Sequence, residues 1–233
     1  MKKEDFFVAM DDKLENGIHT PGNLPLAFDW KLFDNVEGLK GISANNGRLD
    51  HAYYLFHYAS LLPDNSTILE IGTDKGASAV AMGMGIRGKN SKIITIDPGM
   101  MSPEEIEKRK SELGDYEYWP SDVNFILNNI RAAKLEGYIA LVPDTSENVL
   151  KRWDGRPIDM IHIDGSHTYK DVKIDCEWLQ YIKSGRVAVF DDWIEPVARA
   201  VTEYMSVHPE WELLTHSVDQ PIGHPWKSVF WKN

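Results

Sequence analysis

The sequence predicts an α/β protein: a doubly wound, Rossmann-like sheet of seven strands, one of them antiparallel to the rest. Three observations carry this expectation. Five short apolar runs, at residues 68–71, 92–96, 139–142, 158–163 and 187–190, alternate with helix signals. A glycine turn follows the first run, and two strand-like pieces at 211–215 and 228–231 close the chain. Near-continuous apolar runs suit parallel strands covered on both faces, and the final pair, joined by one short loop, suits an antiparallel edge.

Residues 1–45 carry Pro21, Pro25 and scattered aromatics without periodicity, so they read as an irregular N-terminal cap or lid extension on a domain spanning 46–233. Ala52, Leu55, Phe56, Ala59 and Leu62 then recur at helical spacing and stop at Pro63. After the first strand, Gly72 and Gly76 permit a tight turn, and Ala77 to Met82 is helix-forming. The charged stretch 101–122 exceeds what a crossover needs and reads either as a lid or as a solvated helix and loop. Thr145 and Ser146 are capping residues before an apolar stripe that ends near Trp153. Val172, Cys176, Leu179 and Ile182 mark a further helix, with Lys183-Ser-Gly185 as its glycine stop. Pro196 opens a helix with apolar positions 197, 200, 201, 204 and 205.

With 233 residues and 42% hydrophobic content, the chain can bury one good core. A net charge of −11 disfavours binding along a phosphate backbone, which needs Lys and Arg to displace counterions, so no nucleic-acid partner is expected. The single cysteine, Cys176, excludes an internal disulfide, the N-terminus lacks the apolar length of a signal peptide, and no stretch approaches a membrane span. A cytoplasmic protein without a membrane partner is expected. The aromatic N-terminal extension offers a surface for a second subunit, which would make a homo-oligomer.

In a doubly wound sheet, ligands sit at the carboxyl ends of the strands. The loop Glu70-Ile-Gly-Thr-Asp-Lys-Gly76 has the form of a nucleotide-cofactor loop, but Asp74 stands where the dinucleotide fingerprint wants its middle glycine, which argues against NAD. Glu70, Gly72, Thr73, Gly76 and Ser78 are the cofactor-loop candidates. Asp97, ending the second strand, is placed to accept hydrogen bonds from ribose hydroxyls, or else to cap the turn at Pro98. Asp144, Thr145 and Ser146 fall where an adenine edge would lie, although the same residues are good helix caps. Asp164 ends the fourth strand and Asp191 and Asp192 the fifth, bringing three carboxylates to one rim, where a cation would relieve their repulsion. Oxygen ligands of this kind suit Mg²⁺ or a similar hard divalent ion. His167, three residues past Asp164, is the candidate general base, with Asp164 itself counted as catalytic, cofactor-binding and metal-ligating. His162 falls inside a central strand and reads as a buried, hydrogen-bonded core histidine; His51, His57, His208 and His216 read as structural or exposed. Asp219, Gln220, His224 and Trp226, between the last two strands, are weaker candidates for substrate contact.

The spacing Glu-x-Gly-x-x-x-Gly resembles motif I of class I S-adenosylmethionine (SAM) dependent methyltransferases. More narrowly, the segment from Ile68 to Trp193 resembles bacterial methyltransferases that include macrocin-type sugar O-methyltransferases and relatives labelled cephalosporin hydroxylase. The points of contact are the glycine loop, Ile96-Asp97, Ile163-Asp164-Gly-Ser-His167-Thr-Tyr169 and Ser184-Gly-Arg-Val-Ala-Val-Phe-Asp191-Asp192. The resemblance implies SAM on the loop, Mg²⁺ at Asp164, Asp191 and Asp192, and His167 as base. It further implies a small hydroxylated acceptor, such as a sugar or glycosylated natural product. Metal-dependent O-methyltransferases for catechols are more distantly similar, with lysine where this chain has His167. Arg186 departs from the family, which has a second glycine there. Two other readings stay open: a nicotinamide-dependent oxidoreductase of the same fold, and a non-catalytic SAM- or sugar-binding module whose acids cap helices.

Overall fold

The computed structural model describes residues 3, 27–36, 39, 49–99, 123–218 and 225–233. Its elements, in chain order, are α1 (Lys31–Asn35), α2 (Leu49–Leu61), β1 (Thr67–Ile71), α3 (Ala77–Gly85) and β2 (Lys92–Ile96). They continue with α4 (Val123–Ala132), β3 (Ile139–Val142), α5 (Ser146–Lys151), β4 (Ile158–Ile163) and α6 (Tyr169–Cys176). A 3₁₀ turn (Glu177–Tyr181), β5 (Ile182–Asp191), α7 (Glu195–Ser206), β6 (Trp211–Val218) and β7 (Pro225–Lys232) complete the chain. The seven strands form one sheet in the order β3-β2-β1-β4-β5-β7-β6. The first five are mutually parallel, and β7 runs antiparallel to both β5 and β6. This is the expected sheet with its one reversed strand.

Alternation along the strands feeds two helical layers. Ile68, Met160, Val187 and Val189 pack on one side with residues of α2, α3 and α4. Leu69, Ile71, Ile161, Ala188 and Phe190 pack on the other with α5, α6, α7 and the 3₁₀ turn. Part of the N-terminal extension enters the first layer: Phe28 and Phe33 are buried, and the Phe28 ring meets those of Tyr53 and Phe56 at 5.5 and 5.2 Å. The lid-like stretch expected at 101–122, most of the cap, and Asp219, Gln220 and His224 lie outside the described residues, as does the Trp226 side chain. No helix among the described residues is long and apolar enough to cross a membrane.

Several boundaries differ from expectation: β6 and β7 outrun the pieces expected at 211–215 and 228–231, and the largest change is at β5. The helix expected to run through Ile182 and stop at Gly185 ends at Cys176, and Ile182 already pairs with Ile158 in the sheet. Gly185 is a bend within a ten-residue β5 rather than a helix stop: its φ of 71° is open to glycine, and the β4–β5 register shifts between Ile158 and Met160.

The amino-terminal rim is pinned by Asp159, which is 1% exposed. Its carboxylate accepts hydrogen bonds from Thr67 N at 3.0 Å, Lys183 Nζ at 2.8 and 2.9 Å, and Arg186 Nε at 3.1 Å, linking β1, β4 and β5. Burial opposes its charge, but these donors outweigh that effect and hold its pKa below the ordinary carboxylate value. Arg186 therefore has a structural partner. Asp159→Ala strands two cations and a strand N–H, so stability should fall by about 3 kcal/mol, as read by urea unfolding.

Candidate active site

The carboxyl ends of the parallel strands carry the candidate residues, and their geometry starts at Gly72. Here φ is 87°, and a Cβ would lie 1.9 Å from the Asp164 carbonyl oxygen. Gly72 N donates to Ile96 O at 2.9 Å, and Asp164 N donates to Ile71 O at 2.8 Å. The need for glycine is thus set by the close approach of the β4 loop. Gly76, also left-handed, is the N-cap of α3, and Ser78, the second residue of that helix, is buried.

Asp97 clamps this loop. Its Oδ2 accepts from Thr73 N at 2.8 Å and Asp74 N at 3.0 Å, while Oδ1 accepts from Gly99 N at 2.8 Å. The clamp supports Asp74 at a left-handed φ of 45°. A carboxylate has about four lone-pair sites, so acceptor capacity remains.

Two side chains expected at the cofactor loop turn inward. Glu70 is fully buried: Oε2 accepts from Thr95 Oγ1 at 2.6 Å, and Oε1 lies 3.2 Å from His162 Nδ1. The Thr73 side chain likewise turns inward, its hydroxyl 2.5 Å from that of Thr95. Both side chains occupy interior polar positions because Glu70 stands in register with Thr95 on one neighbouring strand and His162 on the other. His162 is the buried, hydrogen-bonded histidine the sequence indicated.

After β3, Asp144 accepts from Thr145 N and Asn148 Nδ2 and pairs with Arg152 at 2.6 Å. The Asn148 hydrogen bond, then those of Arg152 and Thr145, hold its pKa down at about 2. Thr145 is the N-cap of α5 and accepts from Asn148 N. Ser146 donates to Asp175 at 2.5 Å and accepts from Trp178 Nε1 at 3.0 Å. All three therefore cap or brace α5.

Asp175 was missed. It sits within the Val172–Cys176 apolar stripe, where a lone acid at an inward position was the available signal. It is 4% exposed, and its Oδ2 lies under Gly165. Burial pushes its pKa up to about 7, against the lowering effect of the Ser146 hydrogen bond.

The three rim carboxylates fall into two overlapping groups that share Asp164. In the outer one, His167 Nε2 stands 3.5 Å from Asp164 Oδ1 and 3.4 Å from Asp192 Oδ2. In the inner one, Asp164 meets the buried Asp191 and His162; within each group the ligand atoms lie within 4.8 Å of one another. Metal–ligand bonds of about 2.1 to 2.5 Å span such a spread, so either donor set fits a divalent ion. Asp164 beside His167 raises the imidazole pKa despite burial, helped by Asp192 and Asp191. An imidazolium there relieves the carboxylate repulsion in its own right. Asp192 has a left-handed φ of 45°, turning the chain directly after Asp191.

The family model described as a methyltransferase domain matches residues 69–193, a little over half of the chain. No curated protein matches. Among solved structures, cofactor-bound Rv0187 from MTB is 18% identical, with a TM-score of 0.61 over 95% of each chain. The O-methyltransferase TomG from Streptomyces achromogenes, in complex with SAM, is 14% identical with a TM-score of 0.62, covering 100% of both chains. The O-methyltransferase from Bacillus cereus, in complex with SAH, is 15% identical with a TM-score of 0.59, over 98% of this chain and 99% of that one. At these identities the likeness establishes the fold.

Gly72→Ala should cost about 3 kcal/mol or more, because it adds a strained φ to a backbone collision at Asp164; thermal denaturation measures this. Asp175 gives a pH signature. Its folded pKa of about 7 exceeds the ordinary 3.8, so the native state holds the extra proton between these values. Its contribution to stability therefore falls as pH rises from about 4 to about 7. Asp175→Asn should be the more stable protein at pH 8, by up to about 4 kcal/mol, and should lose that advantage at pH 4, as read by denaturant melts at both pH values.

Proposed function

Since the chain belongs to the methyltransferase domain family, we propose that it is a SAM-dependent O-methyltransferase that uses a divalent ion such as Mg²⁺ and acts on a hydroxyl of a small molecule, a sugar or glycosylated natural product. The observation that carries this reading is the convergence of Asp164, Asp191, Asp192 and His167 on the rim that begins at the glycine loop. The SAM- and SAH-bound neighbours support the choice of cofactor. The glycine turn, Asp97 and the 144–146 segment occupy the places a nucleotide cofactor uses in such a sheet. The net charge of −11 supports a small acceptor over a nucleic acid.

SAM, when bound, would supply a sulfonium-activated methyl group, and a divalent ion held by Asp164 together with Asp191 or with Asp192 would supply Lewis acidity that lowers the pKa of a hydroxyl. The rest is the work of the chain. The Asp97 clamp fixes the glycine loop, and the Gly72–Asp164 contact sets that loop at a constant distance from the acids. His167 Nε2 takes the hydroxyl proton as the oxygen–methyl bond forms and the sulfur–methyl bond breaks, leaving S-adenosylhomocysteine (SAH) and the methyl ether. Its carboxylate neighbours raise its pKa, and it acts as the base from its neutral imidazole form. Alignment contributes more of the rate than any single cap residue.

Asp164→Ala or Asp192→Ala should abolish methyl transfer to a panel of nucleotide sugars, glycosides and phenols while SAM binding by calorimetry persists. Chelation should remove the activity and Mg²⁺ restore it; full turnover in chelator refutes the metal role. His167→Ala should slow transfer by about 10² to 10⁴-fold, and an unchanged rate refutes the base assignment. SAH retained by the purified protein, with no transfer to any acceptor, would favour a binding module.

A further inference from the structure

A second clamp on the glycine loop comes from α4. The buried positions of that helix are Ile126, Asn129 and Ile130, so one of its three inward side chains is polar. A primary amide that is 5% exposed in an apolar layer costs free energy unless it is bonded. Its partner is the loop itself: Asn129 Nδ2 donates to the Lys75 carbonyl oxygen at 2.9 Å, 54 residues away in the chain. A carbonyl can only accept, so the atom facing it is the amide nitrogen. Ile126 and Ile130 flank the contact, with atoms 3.6 and 4.0 Å from the place that a Cβ on Gly76 would take.

The Lys75–Gly76 peptide is the joint of the loop that most needs such a hold. It precedes a glycine at φ 89°, whose missing Cβ offers little resistance to rotation of that peptide. Its N–H donates to Thr73 O at 2.7 Å and its C=O accepts from Asn129, so both sides are occupied. The first half of the loop is fixed separately, with Thr73 N and Asp74 N on Asp97. Asp74, left-handed between the two halves, keeps that conformation only because its surroundings impose it. Gly76 is also the N-cap of α3 and has no side chain to serve it, so the entry to that helix is set by the same peptide. We propose that Asn129 is a positioning residue for the methyl donor: through the Lys75 carbonyl it fixes the second half of the glycine loop, as Asp97 fixes the first, in the shape that receives SAM. The identity of the donor rests on the methyltransferase reading; the hold on the loop does not.

The test uses the full chain and two variants with the same heavy-atom outline: Asn129→Leu, which cannot donate, and Asn129→Asp, which donates only when protonated. Amide hydrogen exchange by NMR reads the loop, calorimetry with SAH reads the site, and melting temperature reads the fold. Leucine suits the apolar face of a helix, so Asn129→Leu should melt no lower than wild type. It should nonetheless exchange the Gly76 N–H about tenfold faster and bind SAH about tenfold more weakly, the loss that an unpaired buried carbonyl implies. The Gly72 N–H, held by Ile96 O, should exchange as in wild type. In Asn129→Asp, SAH affinity relative to wild type should fall as pH rises between about 5 and about 9, because the buried carboxyl ionises and turns from donor into repelling acceptor. Unchanged exchange and SAH affinity in Asn129→Leu overturn the inference and leave the methyltransferase reading intact, whether or not the melting temperature falls. A loss in Asn129→Asp that is the same at every pH also overturns it, since that marks lost shape rather than a lost donor. Wild type that binds no SAH removes the methyltransferase reading and the donor-positioning role with it, and the Gly76 exchange rate still decides whether Asn129 holds the loop.

Discussion

The packing of Gly72 against the Asp164 carbonyl is the constraint on which the rest of the site depends. It brings the loop after β1 into van der Waals contact with the loop after β4, at a separation that admits no side chain. Two flanking backbone hydrogen bonds, Gly72 to Ile96 and Asp164 to Ile71, keep the contact in register with the sheet. Much of the chemistry is then hung from one or other partner: the Asp97 clamp and Thr73 from the first, Asp164 and His167 from the second, while Asp191 and Asp192 come in from the end of β5. Side-chain placement at the rim is inherited from backbone geometry, the most rigid part of the molecule.

Around that contact the rim is strongly acidic, and the fold manages this in three ways. Asp97 and Asp144 are absorbed by N–H donors and an arginine. Asp164 and Asp192 share the His167 imidazole. Asp175 stays protonated through most of the acidic range because burial penalises its charge. Charge that would otherwise force the strands apart is spread over cation, hydrogen bond and proton, and only the groups nearest Asp164 keep ligand atoms in common reach.

Much of this was legible in the sequence. The sheet was read from apolar runs at 68–71, 92–96 and 158–163 because parallel strands buried on both faces leave an unmistakable composition. The clustering of Asp164, Asp191, Asp192 and His167 followed from strand ends, since topology alone puts them on one rim. The length of β5 did not follow, because Lys183-Ser-Gly185 has the same chemistry in a bulge as in a helix stop, and only pairing with β4 decides. The inward turn of Glu70 and Thr73 was hidden for a related reason. A lone acid in a strand is ambiguous until its register partners are known, and Thr95 and His162 lie 25 and 92 residues away in the chain. The capping roles of Asp144 and Thr145 were readable from residue type, whereas the Ser146–Asp175 brace was not.

The Asp159 knot sits at the opposite end of the same strands from the reactive groups. That separation divides labour within each strand: one terminus carries the ionic join, and the other carries the reactive groups beyond the Gly72–Asp164 contact. Loops at the carboxyl ends can be lengthened, shortened or repopulated over evolutionary time without loosening the join between β1, β4 and β5. A scaffold anchored in this way is well suited to diversifying its choice of acceptor while inheriting its architecture unchanged.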